Sequence, residues 1–327
     1  MTSVVRNRPV SAEDAEVLAS IAEDYYVNGE NQDAIASRHR ISRSYVSRLL
    51  RRARELGIVE ISVHRDIRRD AALEVGLRER YGLARCIVVT SDATSPQVVL
   101  RRAGQVAAGL LGEVITADST IGLSWGNGVR AVVEALRPRR LRARHVVQMF
   151  GGLSTAPAEL MSGELVADAA RDLGASHDRL HAPWIVESAD LARSLLEQQD
   201  VAAVLGRAAA ADVAIVGIGA TGRGSSALLF NETYLTPREL AEIEEQGAVG
   251  DICGRIFDAH GQPCRASVME RVIGLDLETI GRLPLVIGIA TGHQKYRAVR
   301  SALRGRLVGA MVTDSEIARE VLAHERD

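Results

Sequence analysis

The stretch VNGENQDAIASRHRISRSYVSRLLRRARELGIVEISV, residues 27–63, has the pattern of two helices separated by a tight turn. Asn31 can cap the first helix, and Ser42 or Ser44 the second, because their side-chain oxygens can accept hydrogen bonds from the free amides of a first turn. Ile41 is an apolar residue within the polar turn and is suited to anchor it on a small core. The stretch therefore predicts a helix-turn-helix.

The second helix of this stretch is amphipathic. From Val46 to Leu56 apolar residues recur at three- and four-residue steps, which places them on one helix face. Gly57 can end the helix, since glycine readily adopts the left-handed conformation that occurs after a last turn. Residues 58–63 alternate in the manner of a strand, and this strand would form a wing beside the helices.

The opposite face of the second helix is polar and rich in arginine. An α-helix fits the major groove of B-DNA, where side chains on its N-terminal half contact base edges and arginines further along contact phosphates. The residues expected to contact DNA are Gln32, Ser42, Arg43, Ser44, Tyr45, Ser47, Arg48, Arg51 and Arg52. The alternative is a surface helix pair whose arginines are only solvated, which the combination of spacing, caps and turn disfavours.

Composition limits what the rest of the chain can be. The 327 residues exceed what this module needs, and a net charge of −2 means that nucleic-acid binding depends on a local basic patch. Cys86, Cys253 and Cys264 lack metal-ligand spacing, which indicates buried thiols of a reducing compartment. No apolar run reaches membrane-spanning length, and no signal-peptide pattern is visible. We expect a cytoplasmic protein without a cofactor, a metal or a membrane partner.

From Cys86 onward, short apolar runs alternate with helical segments. Continuous runs such as DVAIVGIG at 212–219 are typical of parallel strands that are covered on both faces. Strands are expected at 86–90, 119–124, 144–149, 212–218, 284–290 and 307–312. The predicted fold class is α/β, a doubly wound, Rossmann-like effector domain with a mostly parallel sheet that follows a winged helix-turn-helix. The predicted domains are a DNA-binding domain at 1–64, a linker helix at 65–84 and an effector and oligomerisation domain at 85–327.

Three glycine-containing loops are candidates for a ligand site. In open parallel sheets ligands bind at the carboxyl ends of strands, where loops meet helix N-termini. The loops at 122–128 and 288–295 each run from a strand into a helix, and the second ends at Lys295, the single lysine among 40 basic residues. In the third loop, at 250–255, Asp251 could accept hydrogen bonds from sugar hydroxyls. The alternatives are a purely steric glycine turn, a solvated lysine and an ordinary turn aspartate.

Motifs spread over almost the whole chain resemble the SorC family, the DeoR-like sugar-binding transcriptional regulators. They are ISRSYVSRLL at 41–50, GLSWG at 122–126, GGL at 151–153, VGIG at 216–219, GDICGRIFDAHG at 250–261, GIATGHQK at 288–295 and ALRGRLVGAMVTD at 302–314. The resemblance implies a regulator of carbohydrate metabolism that binds double-stranded operator DNA under the control of a sugar phosphate or related metabolite. It also implies a homo-oligomer, either a dimer or a tetramer.

The same resemblance places the effector at the glycine loops. The residues that it implies for binding are Ser124, Trp125, Gly126, Asn127, Gly128, Gly219, Asp251, Gly292 and Lys295. The side chains of Trp125, Glu159, Glu164 and Arg255 are expected to select the sugar. The family often has Thr or Ser after the Trp-Gly of the first loop, where this chain has Asn127 and Gly128. An unphosphorylated sugar or polyol is therefore an alternative effector.

An enzyme related to sugar-phosphate isomerases or deaminases is the alternative function, because such enzymes share this kind of α/β domain. It would need a general base in the crevice, and His293, next to the glycines of the loop at 288–295, is the obvious residue. A lone histidine in such a place is more often a hydrogen-bond donor or a surface residue. No nucleophile elbow and no metal-ligand spacing accompany it. The sequence therefore favours a regulator over an enzyme.

Overall fold

The computed structural model describes residues 12–59, 67–91, 95–153 and 162–324. The chain divides into two units, Met1–Asp66 and Ile67–Asp327. The helices described in the first unit are α1 Ala12–Tyr26, α2 Gln32–His39 and α3 Arg43–Glu55.

The three helices share a small apolar core. Val46 and Leu50 on one face of α3 are buried against Ile35 of α2 and Ile21 of α1. Burial of side chains of this size contributes about 1.5–3 kcal/mol each to folding. The predicted wing at 58–63 lies mostly outside the described residues, which end in this unit with the half-buried Ile58 and Val59.

Both helices of the predicted pair begin at side-chain caps. The Asn31 side chain accepts a hydrogen bond from the Ala34 amide at 2.8 Å, and the Ser42 hydroxyl accepts one from the Tyr45 amide at 3.2 Å. Ser42 rather than Ser44 is therefore the cap of α3. Each such cap stabilises its helix by about 0.5–2 kcal/mol, so the start of α3 is fixed by sequence.

Strands and helices alternate through the second unit. Its elements in chain order are α4 Ala71–Tyr81, β1 Arg85–Val89, α5 Pro96–Val114, β2 Thr120–Leu123, α6 Asn127–Glu134, β3 His145–Gln148, α7 Ser162–Leu173, β4 Ser176–Asp178, α8 Ala189–Leu196, α9 Gln199–Ala209, β5 Val213–Gly217, β6 Gly219–Ala220, α10 Pro237–Glu245, β7 Gly250–Ile252, β8 Arg255–Phe257, α11 Leu277–Gly281, β9 Val286–Ile289, α12 Tyr296–Arg304, β10 Ala310–Asp314 and α13 Ser315–Ala323. Among the described strands, seven form a parallel sheet in the order β1-β10-β9-β5-β2-β3-β4, and β6, β7 and β8 form a small antiparallel sheet.

The parallel sheet is buried on both of its faces. In β5, Ala214 and Val216 belong to one apolar cluster, whereas Val213 and Ile215 belong to another. Successive side chains of a strand point to opposite faces, so the two clusters are the two layers that helices cover. The α/β fold with a mostly parallel sheet is thus confirmed. The expected strands correspond to β1, β2, β3, β5, β9 and β10.

Helix α4 is built into the second unit and contacts its C-terminal helix. Leu77 is fully buried. The guanidinium of Arg80 donates a hydrogen bond to the carbonyl oxygen of Leu322 in α13 at 2.7 Å. At the start of the helix, the Glu74 carboxylate accepts from both Arg69 and the amide of Val88 in β1. Over residues 69–81, the segment expected to link two domains is therefore packed into the second unit.

The three cysteines were expected to be buried thiols, and no segment was expected to span a membrane. Cys86, Cys253 and Cys264 are free and buried, and burial raises the pKa of the Cys86 thiol to about 12. Thiols of this kind stay protonated and unreactive at neutral pH. Among the described residues, no helix is both long enough and apolar enough to cross a bilayer.

Candidate ligand site and nucleic-acid interface

The parallel sheet changes its direction of winding between β2 and β5. After β2 the chain continues outward to β3 and β4, whereas after β5 it continues the opposite way to β9 and β10. Such a switch point opens a crevice at the carboxyl ends of the two strands. The loop at 124–126 follows β2, and Ile218 and Gly219 follow β5. Two of the predicted ligand segments therefore meet at the crevice.

A cavity of about 20 Å³, enough for a single water molecule, lies at this crevice. The predicted residues on its wall are Trp125, Gly126, Asn127, Gly128, Gly219, Asp251 and Lys295. Ser225 and Ser226 also line it and were not predicted. Residues from all three glycine loops are thus brought to one place by the winding of the sheet.

Two glycines shape the loop between β2 and α6. Gly126 has φ +99°, a conformation that side-chain-bearing residues rarely adopt, and it directly precedes the first residue of α6. A Cβ on Gly128 would lie 2.9 Å from Cγ2 of Ile289, so a larger residue would force α6 or the Ile289 side chain to shift. Asn127 and Gly128 belong to the first turn of α6, whose amides lack intrahelical acceptors. The glycines therefore have steric roles and also place a helix start on the cavity wall.

Asp251 is the buried carboxyl group of the cavity. Its Oδ1 accepts a hydrogen bond from the Ser226 hydroxyl at 2.5 Å, and its Oδ2 accepts from the Gly254 amide at 3.3 Å. A Cβ on Gly219 would lie 1.9 Å from Ser226 Oγ and 2.0 Å from Asp251 Oδ1. Burial raises the pKa of Asp251, although both hydrogen bonds and the nearby Lys295 favour its charged form. Gly219 is thus the residue that leaves room for this polar pair.

Lys295 is the cation of the cavity. It is half-buried in a 3-10 turn between β9 and α12. Burial lowers the pKa of its ammonium group, and attraction to Asp251 opposes that effect. Among the described residues, no partner accepts a hydrogen bond from its Nζ. An anionic ligand would supply such a partner and favour the charged form of the lysine.

Two predicted residues support the cavity from outside its wall. Ser124 is fully buried, and its hydroxyl accepts a hydrogen bond from the Gly217 amide at 3.1 Å, which ties the ends of β2 and β5 together. Gly292 has φ +96°, and its amide donates to Asp314 Oδ2 at 2.6 Å. Both residues therefore position the loops that carry the lining side chains.

Arg255, which was expected to select the sugar, is occupied elsewhere. Its guanidinium donates hydrogen bonds to the backbone carbonyls of Leu275, Met269, Val272 and Gly274. Burial lowers the pKa of this arginine. The expectation for Arg255 is wrong because four loop carbonyls already accept its donors.

Of the two acidic residues expected to select the sugar, the structure describes Glu164, which is not on the cavity wall. Glu164 forms an ion pair with Arg179 at 3.1 Å. Glu159 lies outside the described residues. Trp125 does line the cavity, and its ring packs on Phe150 with 6.0 Å between centroids.

The face of α3 opposite its buried side is exposed as the helical pattern requires. Ser42, Arg43, Ser44, Tyr45, Ser47, Arg48, Arg51 and Arg52 are exposed, and Gln32 at the start of α2 is half-buried. The guanidinium of Arg48 lies 5.3 Å from the centroid of the Tyr45 ring, within cation–π range. Arg43 and Arg51 make loose ion pairs of 3.8 Å with Asp33 and Glu55. Exposed pairs of this kind are weak, so these arginines are available to other anions.

The comparisons with known proteins cover almost the whole chain. Residues 65–323 match the family model Sugar-bind, described as "Putative sugar-binding domain". The sorbitol operon regulator of Klebsiella pneumoniae is 30% identical over 315 residues, which are 95% of this chain and 99% of that protein. The deoxyribonucleoside regulator of Bacillus subtilis (strain 168) is 29% identical over 298 residues, which are 91% of this chain and 94% of that protein.

A solved structure shows the same architecture. The crystal structure of the full-length sorbitol operon regulator SorC from Klebsiella pneumoniae matches with a TM-score of 0.72 and 29% sequence identity, covering 95% of this chain and 100% of that chain. Fold and site together define an α/β protein with a polar crevice at its switch point, preceded by a small helical unit. The chain belongs to the SorC family of sugar-binding transcriptional regulators.

Proposed function

We propose that this protein is a DNA-binding regulator of carbohydrate metabolism, and that a sugar phosphate or related sugar at the β2–β5 crevice controls its hold on operator DNA. The observation that carries the proposal is the convergence of Gly126–Gly128, Asp251 and Lys295 on one cavity. Membership in a sugar-binding family supports it. So do the relatives, of which one is named a sorbitol operon regulator and another a deoxyribonucleoside regulator.

The wall of the cavity favours a phosphorylated ligand. A phosphate between Lys295 and the first turn of α6 would meet a positive charge and amide donors without other acceptors. Sugar hydroxyls would then lie near Asp251, Ser225 and Ser226. An unphosphorylated sugar or polyol would use the hydroxyl-binding groups and leave the lysine unpaired. The phosphate ester therefore engages more of the wall.

The size of the cavity implies that ligand binding moves its walls. Small-molecule sites usually have roughly 300–1,000 Å³, compared with about 20 Å³ here. The segment that carries Ser225 and Ser226 contains Gly222 and Gly224, both with positive φ and with no atom within 4 Å of the position of an added Cβ. We infer that this segment moves away to admit the ligand. A ligand can shift the regulator between states only by its difference in affinity for them.

The exposed face of α3 is the proposed DNA-reading surface. Ser44, Tyr45, Ser47 and Arg48 would contact base edges, and the arginines further along the helix would contact phosphates. A helix-turn-helix commonly reads a palindromic operator as a two-fold dimer. The proposal therefore includes a homo-oligomer, a dimer or a tetramer, that acts in the cytoplasm.

An isomerase-like enzyme is the second candidate function, and one observation favours it. A buried carboxyl with a raised pKa, Asp251, lies near an amine with a lowered pKa, Lys295, and such pairs also occur in active sites. His293, the general base considered from sequence, is exposed and lies beside the Tyr296 ring at 5.5 Å between centroids. The two candidates differ in whether a bound sugar phosphate is converted.

A thermal-shift and calorimetry panel of free sugars, polyols and their phosphate esters tests the proposal. Ligands of the native state raise the melting temperature. We expect phosphate esters to give the largest shifts, and Lys295→Met to remove them. Arg101→Met is the control, because Arg101 is an exposed residue of α5. Shifts that persist in Lys295→Met would contradict the phosphate assignment. If NMR spectra showed that the protein converts the bound ester to a product, the protein would be an enzyme instead.

A further inference from the structure

A second and larger cavity adjoins the proposed effector cavity and plays no part in the function above. Its volume is about 620 Å³, which is within the range of small-molecule sites. Its wall is formed by residues of the turn after β6, the end of α10, the loop at 247–249 before β7, the 3-10 turn at 293–295 and the first turn of α12. On this wall, Ala220 directly follows Gly219 of the first cavity, and Gln294 directly precedes Lys295 of the first cavity. Neighbouring residues of the same two segments therefore line the two cavities.

The charges on this wall favour an anion. Arg223 and Arg297 are exposed on it, together with His293, and the acidic residue on the wall is Glu244. Within the described part of the chain, neither arginine makes a side-chain hydrogen bond or an ion pair. Guanidinium groups present a planar fork of donors that matches a phosphate or a carboxylate. Two arginines without a protein partner among the described residues therefore face one cavity.

A buried hydroxyl on the same wall also lacks a partner. Thr221 Oγ1 is inaccessible to solvent and makes no hydrogen bond among the described residues. A buried polar atom left in this way costs about 1–3 kcal/mol. An oxyanion could accept a hydrogen bond from it once a shift of this turn has turned the hydroxyl toward the cavity. Thr221 and Arg223 flank Gly222, whose φ of +70° and open surroundings leave this turn room to adjust.

We propose that this cavity is a second anion-binding site, which takes a phosphate group or a similar oxyanion. Arg223 and Arg297 provide the positive charge, and the Thr221 hydroxyl donates a hydrogen bond. The phosphate belongs either to the far end of a bisphosphorylated effector that spans both cavities or to a separate phosphorylated metabolite. None of the three residues lines the first cavity, so phosphate binding here is measurable independently of the proposed effector site, and the spanning ligand alone rests on that proposed function.

Calorimetric titration of the full-length protein with inorganic phosphate at low ionic strength tests the site. We expect Arg223→Gln/Arg297→Gln to weaken phosphate binding by about tenfold or more, since hydrogen bonds to charged groups are strong. The matched control is Arg101→Gln/Arg319→Gln, which removes two exposed arginines outside the cavity. Thr221→Val should weaken binding severalfold without lowering the melting temperature. Equal phosphate affinity in the wild type and Arg223→Gln/Arg297→Gln would overturn the proposal.

A second titration distinguishes the two sources of the phosphate. The probes are a hexose bisphosphate and the corresponding monophosphate. For a spanning ligand, either Lys295→Met or Arg223→Gln/Arg297→Gln weakens bisphosphate binding, at one ligand per chain. For a separate metabolite, the monophosphate binds at two sites per chain. Lys295→Met then loses only the site in the first cavity, and Arg223→Gln/Arg297→Gln loses only the site in the second. A bisphosphate that is bound equally well by the wild type and Arg223→Gln/Arg297→Gln would count against the site.

Discussion

The exposed face of α3 and the cavity at the β2–β5 crevice are two binding surfaces built in opposite ways. The α3 face comes from one continuous run, 42–52, whose buried side settles which residues face outward. The cavity takes a few residues from each of several segments that the sheet brings together. The first depends on local periodicity, and the second on close packing between distant segments. Small changes in packing should therefore disable the cavity and leave α3 unaffected.

Gly219→Ala is the change expected to separate the two surfaces most strongly. The new methyl group would lie within 2.0 Å of the Ser226 and Asp251 oxygens and force this pair apart. We expect sugar phosphate binding to weaken by about a hundredfold, and the free energy of unfolding to fall by about 1–3 kcal/mol. Operator affinity without effector should stay unchanged. Calorimetry, urea denaturation and DNA binding measure the three quantities.

Gly206→Ala provides the matched control for that substitution. Gly206 is in the helix α9, and no atom lies within 4 Å of the position its Cβ would occupy. Alanine there should stabilise the helix slightly, by about 0.4–1 kcal/mol, with effector binding intact. If Gly219→Ala bound the effector as well as Gly206→Ala does, the packing account of the cavity would fail.

Substitutions along α3 address the other surface. Arg48 is near the N-terminal half of the helix and Arg54 is in its last turn. Arg48→Ala should lose about 1–3 kcal/mol of discrimination between the operator and single-base variants. Arg54→Ala should weaken binding to all sequences alike and reduce its salt dependence. Effector binding should be unchanged in both variants, and an Arg48→Ala protein that keeps full operator selectivity would argue against this docking.

A polar cluster at the amino end of β3 is expected to affect stability alone. His145 Nε2 lies 2.8 Å from Asp178 Oδ2, and its Nδ1 lies 2.7 Å from Ser176 Oγ. Arg207 pairs with the same carboxylate. Burial raises the pKa of Asp178, but the hydrogen bonds from Arg207 and His145 outweigh it and hold the pKa below its ordinary value of 3.8. None of these residues lines the cavity.

The lowered pKa fixes the sign of the pH dependence. Ionised Asp178 stabilises the fold above pH 3.8, and this contribution is lost as the pH falls through the lower folded-state value. Asp178→Asn should reduce the free energy of unfolding by about 1–3 kcal/mol at neutral pH, and the difference from wild type should shrink on acidification. Urea denaturation across a pH series measures it. A difference that stays constant down to pH 3 would contradict the assignment.

The parts of the fold that sequence could predict are those with a repeated pattern. The buried runs of β5 and β9 and the apolar stripe of α3 are long enough to show their period. β4, β6, β7 and β8 have two or three residues each, too few for an alternation to be visible. The turn between β7 and β8 places Cys253 at φ 53° beside Gly254. Cysteine has no preference for this left-handed conformation, so the sequence does not indicate it.

The candidate site was predictable where glycine and charge mark it. Lys295 and Asp251 could be singled out as unusual residues in glycine loops, and the structure places both on one cavity. Ser225 and Ser226 were missed because they follow a turn without strand or helix periodicity, although the run GRGSS at 222–226 is a signal of small and polar residues. The bonds that occupy Arg255 depend on loop packing, which the sequence does not show.

Fluorescence anisotropy of labelled operator DNA, selected in vitro with the wild-type protein, tests the central claim most directly. Operator affinity is measured with and without the sugar phosphate that gives the largest thermal shift. We expect that ligand to change wild-type affinity by about 5–150-fold. Lys295→Met should bind the operator equally well without ligand and fail to respond to it. A Lys295→Met protein that responds like the wild type, or a wild-type affinity that no cavity ligand changes, would contradict the account.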